Sequence, residues 1–383
     1  MEQKNFRFYD RFFRTIKKPA FGIVSRKLQF TGEELPSGKG PLFILCNHNT
    51  DLDFLLLAGV SREPLDYVAT ETMLRIGVIS RIAAKTLKPI LHDKGAGGVG
   101  TLKQIIERIR AGRNVVLFPE GNRSFDGKTG EISGAIGKIV KTTGATLVVY
   151  RLSGGYLTSP RWGHGFRKGR MQGHQTVLLS PDEIRKMDNA ELLSVIRDGL
   201  YTDAYEEQKA DPIRFKSRVR AEYLESLMFV CPSCKNTGML HSKKDRLLCE
   251  CGYRLSMDEF GILSDESGTG RTIPELFTSQ KELLKNMAES AGDSCLFKDN
   301  VTICRLTDDH RIVTKQKGLL SACNSLITIN SDDIPKENIT AVDIVQRNRL
   351  IIHVKNSDLR YEITGSRTFN AVKYRILFET VFS

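Results

Sequence analysis

The sequence of 383 residues predicts an α/β layer domain with a largely parallel sheet, then a small cysteine-bearing segment, and last a small antiparallel β-domain with a C-terminal helix. Three observations support this prediction. Short apolar runs alternate with helical stretches from about 40 to 180, four cysteines lie close together after 230, and short alternating strands fill the chain beyond 295. Strand–helix alternation is typical of layered folds with parallel strands.

Within the α/β region, five apolar runs bounded by turn residues or charges predict buried strands. They are PLFILC, PLDYVA, KPILH, NVVLF and TLVVY. The stretches between them have helical periodicity, namely LDFLLLAGV, GVISRIAAKTL, GVGTLKQIIERIRAG and SGAIGKIVKTTG. Because functional residues of such folds collect at the carboxyl ends of the strands, we searched there first for chemistry.

The segment 1–30 predicts a basic amphipathic helix. At 100° per residue, an apolar stripe and a cationic stripe lie side by side on this helix. The apolar stripe contains Phe6, Tyr9, Phe13 and Ile16. The cationic stripe contains Arg7, Arg11, Arg14 and Lys18. A helix of this composition lies in a bilayer interface with aromatic anchors, or it packs on its own domain with a solvated basic face. The sequence leaves both interpretations open.

The charge distribution favours acidic partners for the first part of the chain. The protein has 57 Lys and Arg against 45 Asp and Glu, a net charge of +12. Almost all of this excess lies before residue 229. Lipid headgroups, phosphorylated substrates, acidic carrier proteins or nucleic acid are the partners that such a field attracts.

Composition also excludes several classes of protein. With 40% hydrophobic residues, the chain is not wholly disordered, collagenous or a disulfide-stapled miniprotein. No apolar run approaches the roughly 18–20 residues of a membrane-spanning helix. The N-terminus lacks the pattern of a secretory signal, so we expect a cytoplasmic protein, or one attached to a membrane from the cytosolic side.

The first candidate site follows the strand PLFILC. Thr50 is placed to cap the next helix, and Asp53 falls in its first turn. Because His48 precedes the cap, its imidazole can meet the Asp53 carboxylate. A carboxylate on one ring nitrogen fixes the tautomer and leaves the other nitrogen to act as a general base. The alternative is a capping box formed by Thr50 and Asp53 beside a structural histidine.

The second candidate site is Phe118-Pro119-Glu120-Gly121-Asn122-Arg123-Ser124, directly after the strand NVVLF. A loop with an arginine and free backbone N–H groups suits an anionic ligand. Taken alone, it is equally consistent with an ordinary tight turn.

Together, the His48-to-Asp53 pattern and the FPEGNRS loop resemble the glycerolipid acyltransferase family typified by 1-acylglycerol-3-phosphate acyltransferase. The resemblance runs over about 40–180. Between the two motifs, ILHDK is similar to the family's second block, with Lys94 at the position of an acceptor-binding arginine. Asn122 stands where the family has threonine, and the fourth block, around Leu147–Arg151, lacks its proline.

The resemblance implies a glycerol-phosphate-acyltransferase-like layer domain over 31–228, with His48 and Asp53 as catalytic residues. Acyl-CoA or acyl-ACP (acyl carrier protein) would donate the acyl group to a lysophospholipid, giving phosphatidic acid at the inner face of a membrane. Arg123 and Lys94 would hold the acceptor phosphate. Glu120, Gly121 and Asn122 would form the loop around the glycerol.

The four cysteines Cys231, Cys234, Cys249 and Cys251 have the spacing of two metal-binding knuckles. Four thiolates around Zn²⁺ leave no open coordination position, so the predicted zinc is structural. The segment 229–262 looks like a zinc ribbon; disulfides or unrelated thiols are the alternative. Cys46, Cys295, Cys304 and Cys323 have no partner spacing and are expected to be buried.

After a polar linker at 265–271, the segment 275–383 predicts six or seven short strands and a final helix over 366–382. This architecture is similar to pleckstrin-homology (PH) or GRAM-type barrels, which implies binding of a lipid or a protein.

Two other functions compete with an acyltransferase. A lipid-binding adaptor with the same fold would fit the altered fourth block and the extra domains. A basic zinc-ribbon protein that binds nucleic acid would fit the charge, but the excess charge lies outside the ribbon and no aromatic RNA-binding signature occurs. We therefore expect an anionic membrane surface and a lysophospholipid as partners, with acyl carrier protein as a further candidate, and no nucleic acid.

Overall fold

The structure is a computed structural model that describes residues 2–70, 89–92, 98–292, 294–307, 311–357 and 359–382. The chain forms two compact units. Unit 1 comprises Met1–Pro160 and Phe166–Phe215, and unit 2 comprises Arg161–Gly165 and Lys216–Ser383.

Unit 1 is built on a seven-stranded sheet in the order β1-β7-β6-β2-β5-β3-β4. The strands are β1 (Phe30–Gly32), β2 (Leu42–Cys46), β3 (Leu65–Thr70), β4 (Ile90–His92), β5 (Asn114–Leu117), β6 (Thr146–Ser153) and β7 (Met171–Leu179). All neighbours pair in parallel except β6 and β7, so the largely parallel sheet that the sequence predicts is confirmed. The sequence analysis did not identify β1 or β7.

Helices cover both faces of this sheet. They are α1 (Glu2–Leu28), α2 (Asp53–Val60), α3 (Val99–Arg110), α4 (Ala135–Thr143), α5 (Gly155–Thr158), α6 (Pro181–Lys186), α7 (Asn189–Leu200) and α8 (Ala204–Ala210). Local chemistry explains several ends: Ser180 starts α6 with a capping box, and Gly144, at φ 63°, stops α4. The helix predicted in GVISRIAAKTL lies outside the described residues.

The central strand β2 joins two hydrophobic cores, one on each face of the sheet. Its side chains alternate in direction, as in any strand. Leu42 and Ile44 pack with α1 and α2, whereas Phe43 and Leu45 pack with α3, α4 and α7. Burial on both faces explains why β2 is apolar throughout, and it makes the strand end beside His48 a rigid position.

Helix α1 packs on unit 1 through the apolar residues Phe13, Val24 and Leu28, all of which are buried in the first core. Phe13 therefore does not serve as a membrane anchor, which corrects one element of the amphipathic prediction. On this helix, three cations of the predicted basic stripe are exposed: Arg11, Arg14 and Lys18. The side chains of the other stripe members lie outside the described set. No described helix is long and apolar enough to cross a membrane.

The cysteine-bearing part of unit 2 is an antiparallel sheet in the order β12-β11-β10-β9-β8. Its strands are β8 (Leu240–Lys243), β9 (Arg246–Cys249), β10 (Arg254–Met257), β11 (Leu263–Ser264) and β12 (Gly270–Arg271). The predicted linker 265–271 is thus the turn and second strand of a hairpin. The Asp265 carboxylate forms this turn by accepting hydrogen bonds from the Ser267 and Thr269 amides.

The remainder of unit 2 contains a seven-stranded antiparallel sheet in the order β16-β15-β14-β13-β19-β18-β17. The elements are α9 (Ile273–Ala291), β13 (Phe297–Thr307), β14 (Ile312–Ala322), β15 (Leu326–Ile329), β16 (Asp332–Pro335), β17 (Ile339–Val345), β18 (Arg349–Val354), β19 (Leu359–Gly365), α10 (Val372–Leu377) and a π-helical turn (Phe378–Phe382). An antiparallel sheet with a closing helix is present as predicted, although the helix starts later than 366. Its likeness to PH or GRAM barrels stays a prediction.

The two units do not divide at the predicted boundary of 228. Residues 216–228 pack with the cysteine-bearing sheet because the Ala221 amide donates to the Lys244 carbonyl and the Tyr223 amide donates to Ser242 Oγ. The regular structure of these residues is a short 3-10 turn, at Leu224–Ser226.

The short segment Arg161–Gly165 also belongs to unit 2, although it lies within the predicted domain 31–228. Arg161 Nε donates to the Gln346 carbonyl at 2.9 Å, and Arg347 donates to the Gly163 carbonyl at 3.0 Å. These hydrogen bonds join residues about 180 positions apart. Spacing along the sequence contains no sign of them.

Candidate functional site

His48 and Asp53 meet where β2 gives way to α2. His48 Nδ1 lies 2.9 Å from Asp53 Oδ2. The Asp53 side chain is fully buried, whereas the His48 side chain is 26% exposed. The carboxylate thus contacts one ring nitrogen, and Nε2 is the nitrogen that remains for a substrate. The structure brings together the two residues that the sequence predicts as a pair.

Asp53 is held by its own loop as well as by the imidazole. The amides of Asn49 and Thr50 donate to Oδ2 at 2.7 and 2.9 Å, and the Thr50 hydroxyl donates to Oδ1 at 2.7 Å. The N-cap of α2 is Leu52, and no side chain caps the helix. The simple capping-box alternative is therefore wrong: the carboxylate organises the loop and presents a fixed oxygen to His48.

Two asparagines fasten this loop to the neighbouring strand β6. The buried Asn47 side chain donates to the Leu152 carbonyl and accepts from the Leu152 amide, at 2.8 and 2.7 Å. Asn49 donates to the same carbonyl at 2.8 Å. The sequence analysis missed this role, and the only available signal was two amide side chains flanking His48 at a strand end. They fix the position from which the imidazole projects.

The FPEGNRS loop reaches His48 from the adjacent strand β5. The Phe118 ring stacks on the imidazole with centroids 4.6 Å apart and planes 29° apart. Below the ring, the Glu120 carboxylate accepts a hydrogen bond from the His48 backbone N–H at 2.8 Å. Burial raises the pKa of Glu120 to about 7, although its hydrogen bonds oppose that shift. Glu120 therefore contacts the main chain of the loop that carries His48.

Gly121 lies at the tight turn of the FPEGNRS loop. Its φ of 66° lies in the left-handed region, and its amide donates to the Phe118 carbonyl at 3.0 Å. Only glycine adopts this conformation without strain. Asn122 follows on the same turn and is half-buried.

Arg123 spans the two motifs. Its Nε donates to the Asn49 carbonyl at 2.9 Å, one terminal nitrogen donates to the Ser159 carbonyl, and the other lies 3.0 Å from the Asp51 carboxylate. The Arg123 side chain is 11% exposed and that of Asp51 is 80% exposed. Of these partners of the guanidinium, the Asp51 carboxylate is thus the solvent-exposed one. Lys94, the other predicted phosphate ligand, lies outside the described residues.

The cysteine cluster is the second site. The Sγ atoms of Cys231, Cys234, Cys249 and Cys251 all lie within 4.8 Å of one another. The separations of 3.8 Å for Cys231–Cys251 and for Cys234–Cys249 are far longer than a disulfide of about 2.05 Å. They match the edge of about 3.8 Å of a tetrahedron with zinc–sulfur bonds of about 2.3 Å.

The four thiols differ in acidity. A hydrogen bond from the Tyr253 backbone lowers the pKa of Cys251 to about 7, whereas burial raises the pKa of Cys231 and of Cys249. His241, which lies between the two cysteine pairs in the sequence, is exposed. Of the four other cysteines, Cys46, Cys304 and Cys323 are buried as expected, but Cys295 is exposed.

Comparison with known proteins bears on the first site. A profile of the acyltransferase family matches residues 27–153. The matched region lies within unit 1. It contains His48, Asp53 and the whole of the loop from Phe118 to Ser124.

Two chloroplastic 1-acyl-sn-glycerol-3-phosphate acyltransferases are similar to part of this chain. LPAT1 of Arabidopsis thaliana is 27% identical over 123 residues, which is 32% of this chain and 34% of the relative. BAT2 of Brassica napus is 28% identical over 123 residues, 32% of this chain and 36% of the relative. The chain thus spans about a third of the length of the curated relatives it matches.

Among solved structures, the crystal structure of the 1-acyl-sn-glycerophosphate acyltransferase PlsC from Thermotoga maritima is similar to the chain. The match has a TM-score of 0.41 and 21% sequence identity, and it covers 54% of this chain and 86% of that one.

Proposed function

We propose that the acyltransferase domain moves an acyl group from a thioester of coenzyme A or acyl carrier protein to the hydroxyl of a lysophospholipid. The acceptor is 1-acylglycerol-3-phosphate, and the product is phosphatidic acid. The observation that carries this proposal is the 2.9 Å contact between His48 Nδ1 and the buried Asp53 carboxylate. The likeness to two 1-acyl-sn-glycerol-3-phosphate acyltransferases supports the choice of acceptor.

In this proposal the reaction needs no covalent acyl-enzyme. His48 Nε2 takes the proton from the acceptor hydroxyl, and the alkoxide attacks the thioester carbonyl. The tetrahedral intermediate collapses, the carbon–sulfur bond breaks and the thiolate leaves. The imidazolium returns its proton to the thiolate. Asp53 keeps the ring in the tautomer that presents Nε2 as a base and stabilises the positive charge that forms on it.

Arg123 is the proposed ligand for the acceptor phosphate, together with Lys94. Two of the Arg123 nitrogens hold backbone carbonyls, and the third faces the exposed Asp51 carboxylate. The acceptor phosphate would replace Asp51 at this nitrogen, since both are oxygen anions and phosphate carries more charge. The carbonyl contacts keep the guanidinium in place during the exchange.

Asp51→Asn tests this exchange. We expect the KM for the lysophospholipid to fall by about 2–5-fold with kcat unchanged, because an exposed ion pair of about 0.2–1 kcal/mol no longer competes with the phosphate. Initial rates against acceptor concentration measure the effect. Asp126→Asn, on the loop after β5 and hydrogen-bonded to the Ser124 hydroxyl, is the control. An unchanged or raised KM in Asp51→Asn would contradict the exchange.

Product identification tests the function itself. Purified protein is offered a panel of lysophospholipids with acyl-CoA and with acyl-ACP thioesters, and lipid products are identified by mass spectrometry. Phosphatidic acid formed from 1-acylglycerol-3-phosphate is the expected result. Lipid binding without thioester turnover would favour the adaptor. Steeply salt-dependent binding to oligonucleotides, without binding to anionic vesicles, would favour the nucleic-acid-binding protein.

We further propose that the enzyme works peripherally on the cytoplasmic, inner face of a membrane. Arg11, Arg14 and Lys18 of α1 are exposed, whereas Phe13, Val24 and Leu28 of the same helix are buried in unit 1. Electrostatic attraction to anionic headgroups is the binding mode that these exposed cations support.

Replacing Arg11, Arg14 and Lys18 by glutamine is expected to weaken binding to anionic vesicles by about 100-fold, at about 1 kcal/mol per cation. Co-sedimentation with phosphatidylglycerol vesicles measures it, with phosphatidylcholine vesicles as the neutral comparison. The control replaces three exposed lysines elsewhere on unit 1, Lys103, Lys138 and Lys186, so that the net charge changes equally. Equal losses in both triple variants would show that α1 is not the docking face.

For the cysteine cluster we propose one structural Zn²⁺ held by Cys231, Cys234, Cys249 and Cys251. Four sulfur ligands within 4.8 Å of one another support it. With four protein ligands, the metal stabilises unit 2 and takes no part in acyl transfer.

A further inference from the structure

The Glu120 carboxylate connects two distant backbone amides. Its Oε1 accepts from the His48 N–H at 2.8 Å, and its Oε2 accepts from the Gly130 N–H at 2.7 Å. His48 lies on the loop after β2, and Gly130 lies on the loop after β5. One side chain thus ties the catalytic loop to the loop that carries Arg123.

These two hydrogen bonds require the ionised carboxylate. A carboxylate has only acceptor oxygens, so it serves two N–H donors at once. A protonated carboxyl group, or a glutamine amide, would turn a donor toward one of the two N–H groups. One of the two hydrogen bonds would then be lost, and the side chain would no longer hold both amides.

Gly130 makes room for this carboxylate. A Cβ atom at position 130 would lie 3.3 Å from Glu120 Oε2, which is closer than most such contacts in proteins. Glycine at this position therefore lets the carboxylate approach the backbone. The Gly130 backbone and the Glu120 side chain are thus matched in shape.

The charged and titratable groups around Glu120 are His48, Asp53 and Cys46. The positive form of the His48 imidazole favours an ionised Glu120, whereas the Asp53 carboxylate opposes it. Desolvation is the largest influence and raises the pKa of Glu120 to about 7.

We propose that Glu120 is a positioning residue, whose carboxylate sets the His48 main chain so that the imidazole meets both Asp53 and the acceptor hydroxyl, and that it does not bind the acceptor. Both of its oxygens point to backbone amides of the protein. This proposal deepens the proposed function and rests on it where catalysis is concerned. It also revises the expectation that Glu120 lines the glycerol site.

The kinetic test is Glu120→Gln, which keeps the size of the side chain. We expect kcat to fall about 10- to 100-fold through loss of a charge-assisted hydrogen bond, with the acceptor KM unchanged within about twofold. Glu131→Gln, a neutral replacement at an exposed neighbouring position, is the matched control and should keep both constants. A raised acceptor KM with kcat retained would make Glu120 a substrate ligand and overturn the proposal.

A second test needs no turnover and starts from the wild-type protein. In the wild-type protein, the amide resonances of Gly130 and His48 should titrate together with a midpoint near 7, the value expected for Glu120. Gly130 is the cleaner reporter, since the His48 amide also senses its own ring. In Glu120→Gln the Gly130 titration should vanish.

The two tests separate the possible failures. A Gly130 amide resonance that does not titrate together with that of His48 in the wild-type protein would overturn the role of Glu120, whatever the enzyme activity. A protein that turns over no lysophospholipid, but in which Gly130 and His48 titrate together, would refute the proposed function and retain Glu120 as the residue that positions His48.

Discussion

Replacing His48 by alanine is expected to reduce acyl transfer to 1-acylglycerol-3-phosphate by at least about 10²–10⁴-fold, the usual contribution of a general base. Among the described residues, no other side chain contacts Asp53 through a ring nitrogen. No neighbouring imidazole can therefore replace His48 as the base that accepts the proton of the acceptor hydroxyl. The measurement is kcat with saturating acyl-CoA. The folded state should be preserved, because the His48 side chain is partly exposed and the Asp53 loop keeps its three hydrogen bonds to Asn49 and Thr50.

His174→Ala is the matched control, since His174 is also in unit 1 and also lies beside a carboxylate, that of Glu33, at 3.3 Å. Its kcat should stay near that of the wild type. Asp53→Asn should show a smaller loss than His48→Ala, because an amide oxygen still accepts from the imidazole while the negative charge is gone. Substantial turnover by His48→Ala would refute the general-base mechanism.

Removing the metal is the second change with a large expected effect. Metal analysis of the purified protein should find about one zinc per chain, and Cys249→Ser should abolish it. Structural zinc in small sites contributes about 10–16 kcal/mol of apparent binding free energy, so its loss should strongly lower the unfolding temperature of unit 2. A strong chelator added to the wild-type protein should act in the same way.

Cys295→Ser is the control for this experiment, because Cys295 is exposed and lies outside the cluster. It should keep both the zinc content and the unfolding temperature. Two results together would rule out a metal role for the four cysteines. The wild-type protein would contain no zinc after growth with the metal, and a chelator would leave its unfolding temperature unchanged.

Local patterns predicted the elements that surround the active site. The five apolar runs in the α/β region are strands β2 to β6, and each described helix predicted between them is present. The reason is that a central parallel strand is buried on both faces and must be apolar throughout, as Phe43 and Ile44 show by packing into opposite cores. His48 and Asp53 were predictable because the two residues are joined by a single short turn.

Strands away from the centre of the sheet were harder to predict. Strand β7 has the mixed sequence MQGHQTVLL, is only partly buried over most of its length, and pairs antiparallel with β6. The edge strand β1 pairs with only the first three residues of β7, so most of β7 has one described neighbour and the apolar pattern that identified β2 is absent. The sequence also did not predict that unit 2 starts at Lys216, or that it includes the short segment Arg161–Gly165. Both depend on hydrogen bonds to distant strands.

By itself, the sequence determined the α/β class, the central strands, the His48–Asp53 pair and the four-cysteine cluster, because each depends on periodicity or on spacing within a few turns of chain. Only the tertiary structure decided that Glu120 holds the His48 amide, that Arg123 spans Asn49 and Ser159, and that Phe13 is buried. Those contacts join residues far apart in the chain, and burial and hydrogen bonding at such range are set by packing of the whole unit rather than by local propensity.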